Sequence, residues 1–355
     1  MVPIAYPRVR GCVEVDIALS KKHRRRRAGR LAIVVAADGV RMLVSVTGGT
    51  GFVGSHSVAA VIAAGHRVRL LARDPRAVPE VLRPLGVDPA VVEVIAGAAT
   101  DAGRVAELVR GADAVLHAAA VYSFDRRRRE EMRSTNVIAT ETVLGAARRA
   151  GVGRIVHVSS FAALDGAVLD ENSAVSRSSE AYAASKAAAE VIAREHGAVI
   201  SYPPALLGPH DPRLGDQTAR LLATLRGLMP IWPTGGFPLG DVRDTAAMHA
   251  HLLTGGPARC FGPGRFVSTR DYLRTLREVT GRRLPAVFLP AAALVPVGLA
   301  ADALQRVWPW PIPVQGGAIR TCREAQRVPS SGPARPLAET MADAVRWLRD
   351  AGRAA

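Results

Sequence analysis

Short apolar runs alternate with longer alanine-rich segments from Met42 onward. Each run has the length of a buried strand, and the runs lie at 43–47, 67–72, 91–95, 114–118, 154–158 and 198–202. The segments between them have the length and composition of helices, as at 55–64, 104–110, 133–150 and 180–195. Strands that alternate with helices are typical of βαβ units, whose helices cover both faces of a parallel sheet. The pattern therefore predicts an α/β fold with a Rossmann-like, doubly wound parallel sheet.

The same pattern predicts how the chain is organised. Residues 42–203 contain all the predicted strands and are expected to form the Rossmann domain. Beyond about residue 203 the alternation loosens and proline becomes frequent, so 204–355 are expected to form mostly a smaller substrate-binding region. Part of that region, about 237–253, is expected to return to the Rossmann domain. Residues 1–41 precede the first strand and are expected to form a basic, disordered extension.

Composition narrows the class of protein. Apolar residues make up 48% and charged residues 22% of the chain, a mix that excludes a wholly disordered protein. The three cysteines, Cys12, Cys260 and Cys322, are too few for a disulfide framework, and no Cys/His cluster has metal-ligand spacing. No apolar run reaches the roughly 18 residues that a membrane-spanning helix needs. We therefore expect a cytoplasmic protein with no metal site.

The formal net charge of +16 is unevenly distributed along the chain. Residues 1–41 hold ten basic and three acidic residues, and the remaining charge is spread widely. The chain has 44 arginines and only three lysines, a bias that indicates coding composition rather than a basic surface selected for binding. No specific nucleic-acid partner is therefore expected. Lys186 is the only lysine beyond residue 22, which favours a role that arginine cannot fill.

A glycine-rich turn follows the first predicted strand and precedes a helix. Gly48 allows a tight turn, Gly51 lets the backbone approach a pyrophosphate, and Gly54 lets the helix and strand pack closely. A helix is expected to follow Gly54, and its free N–H groups and partial positive charge favour phosphate. Phe52 and Val53, within the turn, are further candidate cofactor contacts. Because the glycines lie between a strand and a helix, the turn predicts a dinucleotide site.

The end of the second predicted strand bears on the choice of cofactor. An NAD site usually has an acidic residue there to bind the ribose hydroxyls, but this chain has Ala72 followed by Arg73. A guanidinium suits a 2′-phosphate, which predicts that NADP(H) is preferred. Asp74 follows Arg73 and could reach a ribose, so NAD(H) remains an alternative.

The candidate catalytic residues are Ser160, Tyr182 and Lys186. Tyr182 and Lys186 are four residues apart in a predicted helix, so they share one face, and the ammonium is expected to lower the pKa of the phenol. Such a tyrosine can act as a general acid or base, and the lysine can also bind a ribose. The fifth predicted strand ends at Ser159 and Ser160, either of which could stabilise negative charge on a substrate oxygen.

In this order, these motifs resemble the extended short-chain dehydrogenases/reductases. The resemblance covers about 42–350 and includes 47–54, 117–119, Asn136, Ser159–Ser160 and the Tyr182/Lys186 pair. Within that superfamily the chain resembles the NAD(P)-dependent epimerase/dehydratase family, nearest its dihydroflavonol reductase and 3β-hydroxysteroid dehydrogenase-like branch. The segments that resemble this branch are 71–75, 208–212, 241–244 and 335–348.

The resemblance implies a role for each candidate residue. Tyr182 is the implied general acid/base, Lys186 tunes it and contacts the ribose, and Ser160 orients the carbonyl. Ala118 and Ala119 are implied cofactor contacts, as are Pro203 and Leu206, which are expected beside the nicotinamide.

The chain also departs from the family pattern. The family's Gly-Asp near the adenine is Gly97-Ala98 here, and its usual Arg-Pro after the sixth strand is Tyr202-Pro203. Residues 122–124 are expected to border the substrate. The arginine run at 126–129 is either a solvated loop or an attractant for an acidic substrate.

We therefore expect an NAD(P)-dependent oxidoreductase that transfers a hydride between nicotinamide and a small-molecule carbonyl or secondary alcohol. The substrate region contains Trp232, Trp308, Trp310 and the apolar segment 287–300, which favour a hydrophobic ketone. The alternatives are an NAD-dependent sugar-nucleotide epimerase/dehydratase and a non-catalytic nucleotide-sensing regulator. The sequence leaves a homodimer open.

Overall fold

The computed structural model describes residues 41–122, 128–304, 316–324, 327–330 and 332–354. The expected N-terminal extension, apart from Arg41, lies outside these residues, as do Trp308 and Trp310.

Twelve strands are described in these ranges: β1 Leu43–Thr47, β2 Arg67–Ala72, β3 Val92–Ala96, β4 Ala114–His117, β5 Arg154–Val158, β6 Val199–Tyr202, β7 Ala205–Leu207, β8 Ile231–Pro233, β9 Gly236–Asp241, β10 Arg259–Phe261, β11 Arg265–Ser268 and β12 Val287–Leu289. The α-helices of the same ranges are α1 Phe52–Ala63, α2 Ala77–Leu82, α3 Ala102–Val109, α4 Arg129–Arg133, α5 Ala139–Arg149, α6 Ala181–Glu195, α7 Asp216–Leu225, α8 Val242–Thr254, α9 Thr269–Thr280, α10 Ala291–Leu304, α11 Gly316–Glu324 and α12 Leu337–Asp350.

Seven strands form one parallel sheet in the order β10-β6-β5-β4-β1-β2-β3. The six predicted strands occur in this sheet, each within one residue of the predicted bounds, and the doubly wound class is confirmed. The order reverses between β1 and β4, and open parallel sheets bind ligands at such a switch point, beyond the carboxyl ends of the strands.

The sheet is apolar on both faces because helices cover both. Val44 and Val46 of β1 pack in one cluster with Val58 of α1 and with Met248 and Leu252 of α8. Val115, Ile155 and Ile200 pack on the other face, with side chains from α3, α5 and α6. Burial of these branched side chains at roughly 25 cal/mol per Å² drives the layers together.

The segment after residue 203 contributes to both parts of the structure. α8 packs on α1, and β10 extends the large sheet beside β6. β7, β9 and β11 form a separate three-stranded sheet, while β8 and β12 pair in a third. Apolar residues of α7, α9 and α12 form their own core. The division into domains at residue 203, and the assignment of about 237–253 to the Rossmann domain, remain predictions.

The long helix predicted at 133–150 is divided in the structure. A π-helical turn, Ser134–Ile138, separates α4 from α5. π-helical turns are rare and frequently mark functional sites. Among the described segments, no helix combines the length and hydropathy that crossing a bilayer requires.

Candidate active site

The glycine-rich turn has the close backbone contacts that its sequence predicts. A Cβ added at Gly54 would lie 2.1 Å from the Gly48 carbonyl oxygen, and one at Gly48 would lie 2.5 Å from the backbone of Ala118. Gly48 also has a positive φ of 77°, a conformation that favours glycine. No side chain caps the N-terminus of α1 at Gly51. The first N–H groups of α1 are therefore available to a phosphate, and the residues present fit a dinucleotide.

One cavity of about 1180 Å³ lies against this turn and the carboxyl ends of the central strands. Its volume exceeds the roughly 300–1,000 Å³ of a typical ligand pocket, so it has room for a cofactor and a substrate together. All the candidate catalytic and cofactor-binding residues line this cavity: Gly48, Gly51, Phe52, Val53, Gly54, Arg73, Ala118, Ala119, Ser160, Tyr182, Lys186, Pro203 and Leu206.

The end of β2 separates Arg73 from its acidic neighbour. Arg73 lines the cavity and is exposed. Asp74 instead forms an ion pair with Arg76, at 3.0 Å between its Oδ1 and Arg76 Nε, and does not line the cavity. Of these two residues only Arg73 lines the cavity, so Arg73 is the charged group that the end of β2 presents to a ligand.

Ser160, Tyr182 and Lys186 lie together because α6 packs next to the carboxyl end of the central strand β5. The Ser160 hydroxyl donates a hydrogen bond to the Tyr182 oxygen, and the Tyr182 ring packs edge-on against Tyr122 at 4.6 Å between centroids. Lys186 Nζ donates to the backbone carbonyl of Val158 at 3.1 Å. All three candidate catalytic residues are buried.

Burial controls the protonation of this group. It raises the pKa of Tyr182 to about 12, an effect that the Ser160 hydrogen bond partly offsets. The net shift is upward, and not downward as expected from the nearby Lys186, because desolvation of the phenolate outweighs the influences that favour it. Burial also lowers the pKa of Lys186 to about 8, while the Glu190 carboxylate opposes that shift.

Asn136 joins the site from the π-helical turn. Its side-chain oxygen accepts a hydrogen bond from the Val121 N–H at 2.7 Å, and its Nδ2 donates to the Val121 carbonyl and to Ser185 Oγ at 3.0 Å. Ser185 immediately precedes Lys186 on α6. The π-helical turn therefore fixes the catalytic helix against the loop that follows β4.

A second set of buried hydrogen bonds connects this turn to the glycine-rich loop. Thr140 Oγ1 donates to the Asn136 carbonyl and bonds His117 Nε2 at 3.1 Å. His117 Nδ1 bonds Thr47 Oγ1 at 2.7 Å, and Thr47 begins the glycine-rich motif. Burial holds the pKa of His117 near 3, so its ring is neutral and bonds as one donor and one acceptor.

Sequence reasoning did not find the residues that α7 and α11 contribute to the cavity. Asp216 and Arg220 line it from α7, with Arg220 over the Phe237 ring at 5.3 Å, and Thr321 lines it from α11. The Asp216 Oδ2 atom is buried and has no hydrogen-bond partner among the described residues. Asp216 lies in the region where the strand and helix pattern loosens and belongs to no motif, so nothing in the sequence marked it as a cavity residue.

Other predicted features of the substrate region differ in the structure. Trp232 is a core residue whose indole N–H donates to the Met229 carbonyl, so it does not line the cavity. The segment 287–300 forms β12 and part of α10, also away from the cavity. Tyr122 does line it, as does Arg128, which pairs with Glu131. Ser123, Phe124 and residues 125–127 lie outside the described residues.

The described residues contain no group of three or more histidine, cysteine or acidic side chains placed to hold a metal ion. The donors around the cavity are instead backbone N–H groups, hydroxyls and cations, which suit phosphates and a polarised carbonyl.

Similarity to known proteins identifies the family of this chain. A family model described as the NAD dependent epimerase/dehydratase family matches residues 44–259. The chain is an NAD(P)-dependent oxidoreductase of the extended short-chain dehydrogenase/reductase type. It belongs to the NAD dependent epimerase/dehydratase family, and the resemblance stated from its motifs is confirmed.

Individual relatives match this chain over nearly their whole length. Sterol demethylase protein B of Methylococcus capsulatus is 29% identical over 88% of this chain and 99% of its own. A putative dihydroflavonol 4-reductase of Synechocystis is 30% identical over 86% of this chain and 94% of its own. The crystal structure of gox2253 matches with a TM-score of 0.72 at 29% identity, covering 88% of this chain and 99% of that one.

Proposed function

We propose that this chain reduces an apolar ketone, or oxidises the matching secondary alcohol, with Tyr182 transferring the proton. The observation that carries the proposal is the burial of Ser160, Tyr182 and Lys186 in the cavity that the glycine-rich turn also lines. A buried phenol, hydroxyl and ammonium at the carboxyl ends of parallel strands suit a reacting carbonyl.

Each catalytic side chain has one task in this mechanism. The bound nicotinamide supplies or accepts the hydride. Tyr182, kept protonated by burial, donates its proton to the carbonyl oxygen during reduction and takes it back during oxidation. When a ketone binds, Ser160 must turn its single hydroxyl proton from Tyr182 to the substrate oxygen, where it stabilises the negative charge that develops. The Lys186 ammonium favours the phenolate that forms at Tyr182.

Two features support NADP(H) as the preferred cofactor. Arg73 lines the cavity and forms no ion pair within 4 Å in the described part of the chain, although the Glu131 carboxylate is near enough to feel its charge. Asp74, the acid that could repel a 2′-phosphate, is paired with Arg76. The glycine-rich turn and the N-terminus of α1 would hold the pyrophosphate. The other cofactor contacts we propose are Phe52, Val53, Ala118, Ala119, Pro203 and Leu206, which all line the cavity.

The walls of the cavity beyond Tyr182 favour an apolar substrate. Val121, Phe161, Leu164, Leu214 and Phe237 all line it. The two relatives from Methylococcus and Synechocystis are named for a sterol and a dihydroflavonol, both of which are compounds with fused rings. We propose a hydrophobic ketone or secondary alcohol on these grounds.

A panel of ketones, aldehydes and alcohols assayed with NADPH, NADH and their oxidised forms tests this proposal. We expect turnover with an apolar cyclic ketone and with NADPH in preference to NADH. Turnover confined to hydrophilic aldehydes, or absent with every nicotinamide, would contradict it.

A sugar-nucleotide epimerase or dehydratase is the second candidate, because Arg213, Arg220 and Arg320 line the cavity and could bind a diphosphate. The buried Asp216 Oδ2 atom, which has no hydrogen-bond partner among the described residues, argues against this candidate. A carboxylate at that position would repel the negative charge of a diphosphate. Conversion of UDP-glucose without added cofactor would favour this candidate, and Asp216→Asn should then improve UDP binding.

The organisation of the chain completes the proposal. We propose 42–203 as the cofactor domain and 204–355 as mostly the substrate region. A cytoplasmic location and a homodimer are expectations from the sequence, and both stay predictions.

A further inference from the structure

The helix α10, Ala291–Leu304, has an exposed face without a single polar side chain. Its exposed residues recur at spacings of three and four, which defines one side of the helix. They are Ala292, Ala293, Pro296, Val297, Leu299, Ala300, Ala303 and Leu304. Val297, Leu299 and Leu304 are each at least half exposed. A helix on a water-facing surface usually has charged or polar residues at these positions.

The opposite face of α10 is fixed to α11. A Cβ at Gly298 would lie 2.8 Å from the Gly316 Cα, so the two helices pack closely. Asp302, the only charged residue of α10, accepts a hydrogen bond from the Gly316 N–H at 3.1 Å. The packing of Gly298 on Gly316 and the hydrogen bond of Asp302 therefore hold the apolar face outward. The helix cannot rotate this face inward without breaking both contacts.

This helix is also next to the candidate active site. α11, against which α10 packs, lines the cavity with Gly317, Ala318, Arg320 and Thr321. A partner bound on α10 would lie one helix away from the substrate half of the cavity.

A second copy of this chain is a poor partner for such a surface. Standard protein interfaces use roughly 20–30 residues from each side. α10 offers eight exposed residues, mostly alanine, along a helix of about 21 Å. Binding to a lipid surface needs fewer exposed residues, because an apolar helix face enters only about 5–10 Å into the headgroup region.

Charge favours an anionic lipid surface in particular. The chain has a net charge of +16, which attracts it to negatively charged headgroups. Exposed arginines also occur on the segment before β12 and on α11, which packs against α10: they are Arg283 and Arg323. We propose that α10 docks this chain on an anionic bilayer, with its exposed apolar face in the headgroup region beside the wall of the substrate cavity.

Vesicle binding by the full chain tests the proposal without any measurement of turnover. The probe is a vesicle of 70% phosphatidylcholine and 30% phosphatidylglycerol, mixed with wild type, Val297→Glu or the matched control Val91→Glu. Val91 is an exposed valine far along the chain, before β3. Val297→Glu removes one valine that would be buried in the headgroup region, so its vesicle partition coefficient should be about tenfold lower than that of wild type. The partition coefficient of Val91→Glu should stay within about twofold of wild type.

Measuring vesicle binding at low and high salt distinguishes binding through the apolar face of α10 from electrostatic attraction by the basic N-terminal residues. Added salt weakens binding by charge alone, so the difference between the two variants should persist at 0.5 M NaCl, where screening is strong. Equal binding of both variants at low and high salt would overturn the proposal. A change from dimer to monomer in Val297→Glu, without vesicle binding by wild type, would assign the face to a second copy and also overturn it. Leu299→Trp should bind the vesicles more tightly than wild type, and weaker binding would contradict the docking.

Discussion

Lys186 Nζ donates a hydrogen bond to the backbone carbonyl of Val158 over 3.1 Å. The contact ties α6 to the carboxyl end of β5, so the position of the ammonium depends on the main chain of the central sheet. Burial at this place lowers the pKa of Lys186 to about 8, and the Glu190 carboxylate one turn away limits the shift. The lysine is therefore charged at neutral pH and loses its charge under mildly alkaline conditions.

The kcat/KM for ketone reduction should depend on the titration of Lys186. Below pH 8 Lys186 is protonated and favours the phenolate that forms at Tyr182, so kcat/KM should fall as the pH rises through about 8. Tyr182 does not cause this fall, because its pKa of about 12 keeps it protonated there. A pH profile from 6 to 10 checks the prediction. Lys186→Arg, whose guanidinium stays charged, should be slower but should lack the alkaline fall. A flat wild-type profile over this range would be inconsistent with the assignment of Lys186.

Arg73→Ala should narrow the preference for NADPH over NADH. A hydrogen bond to a charged group contributes about 1.5–3 kcal/mol, so the affinity gap should shrink by that amount. Titration of both reduced cofactors measures it, and Arg83→Ala, an exposed arginine outside the cavity, is the matched control. Equal affinity of the wild type for NADPH and NADH would remove the basis for the prediction.

Gly54→Ala should abolish cofactor binding, because the added Cβ would lie 2.1 Å from the Gly48 carbonyl oxygen. The control is Gly103→Ala on α3, where the nearest contact is an ordinary 3.4 Å. That variant should bind like wild type, since alanine is the better helix former. Fluorescence titration with NADPH compares the two, and tight binding by Gly54→Ala would show that the turn does not hold the pyrophosphate.

A chain that begins at Met42 should fold, bind NADP(H) and keep full activity. β1 begins at Leu43 and is paired on both sides, by β2 and β4, without any earlier residue. Melting temperature, cofactor affinity and turnover of the short and full chains check this. A melting temperature many degrees lower in the short chain would place the first 41 residues within the fold.

The sheet could be predicted from the sequence because short apolar strands and glycine turns are local signals. β1, β2 and β5 match their predicted bounds, since each is a buried run with clear breaks at both ends. β10 was missed because Arg259–Phe261 is only three residues long and joins the sheet beside β6, which lies far earlier in the chain.

The two halves of the cavity differ in how far the sequence predicts them. The cofactor half follows from motifs with fixed spacing, such as Gly48 to Gly54 and Tyr182 to Lys186. The substrate half depends on how α7 and α11 pack against the sheet, so Asp216 and Thr321 could not be found from local pattern. Local pattern also could not tell which aromatic residues face the substrate: Trp232 fills the C-terminal core and does not line the cavity.

Proton transfer by Tyr182 is the central claim, and Tyr182→Phe tests it most directly. The substitution keeps the ring that packs on Tyr122 and removes only the hydroxyl. Tyr272→Phe is the matched control, because the Tyr272 hydroxyl is also buried but has no hydrogen-bond partner among the described residues. With a substrate whose chemical step limits the rate, the turnover of Tyr182→Phe should fall by roughly 10²–10⁴-fold, while its affinity for NADPH stays near that of wild type. The turnover of Tyr272→Phe should also stay near wild type. Near wild-type turnover by Tyr182→Phe would contradict the mechanism.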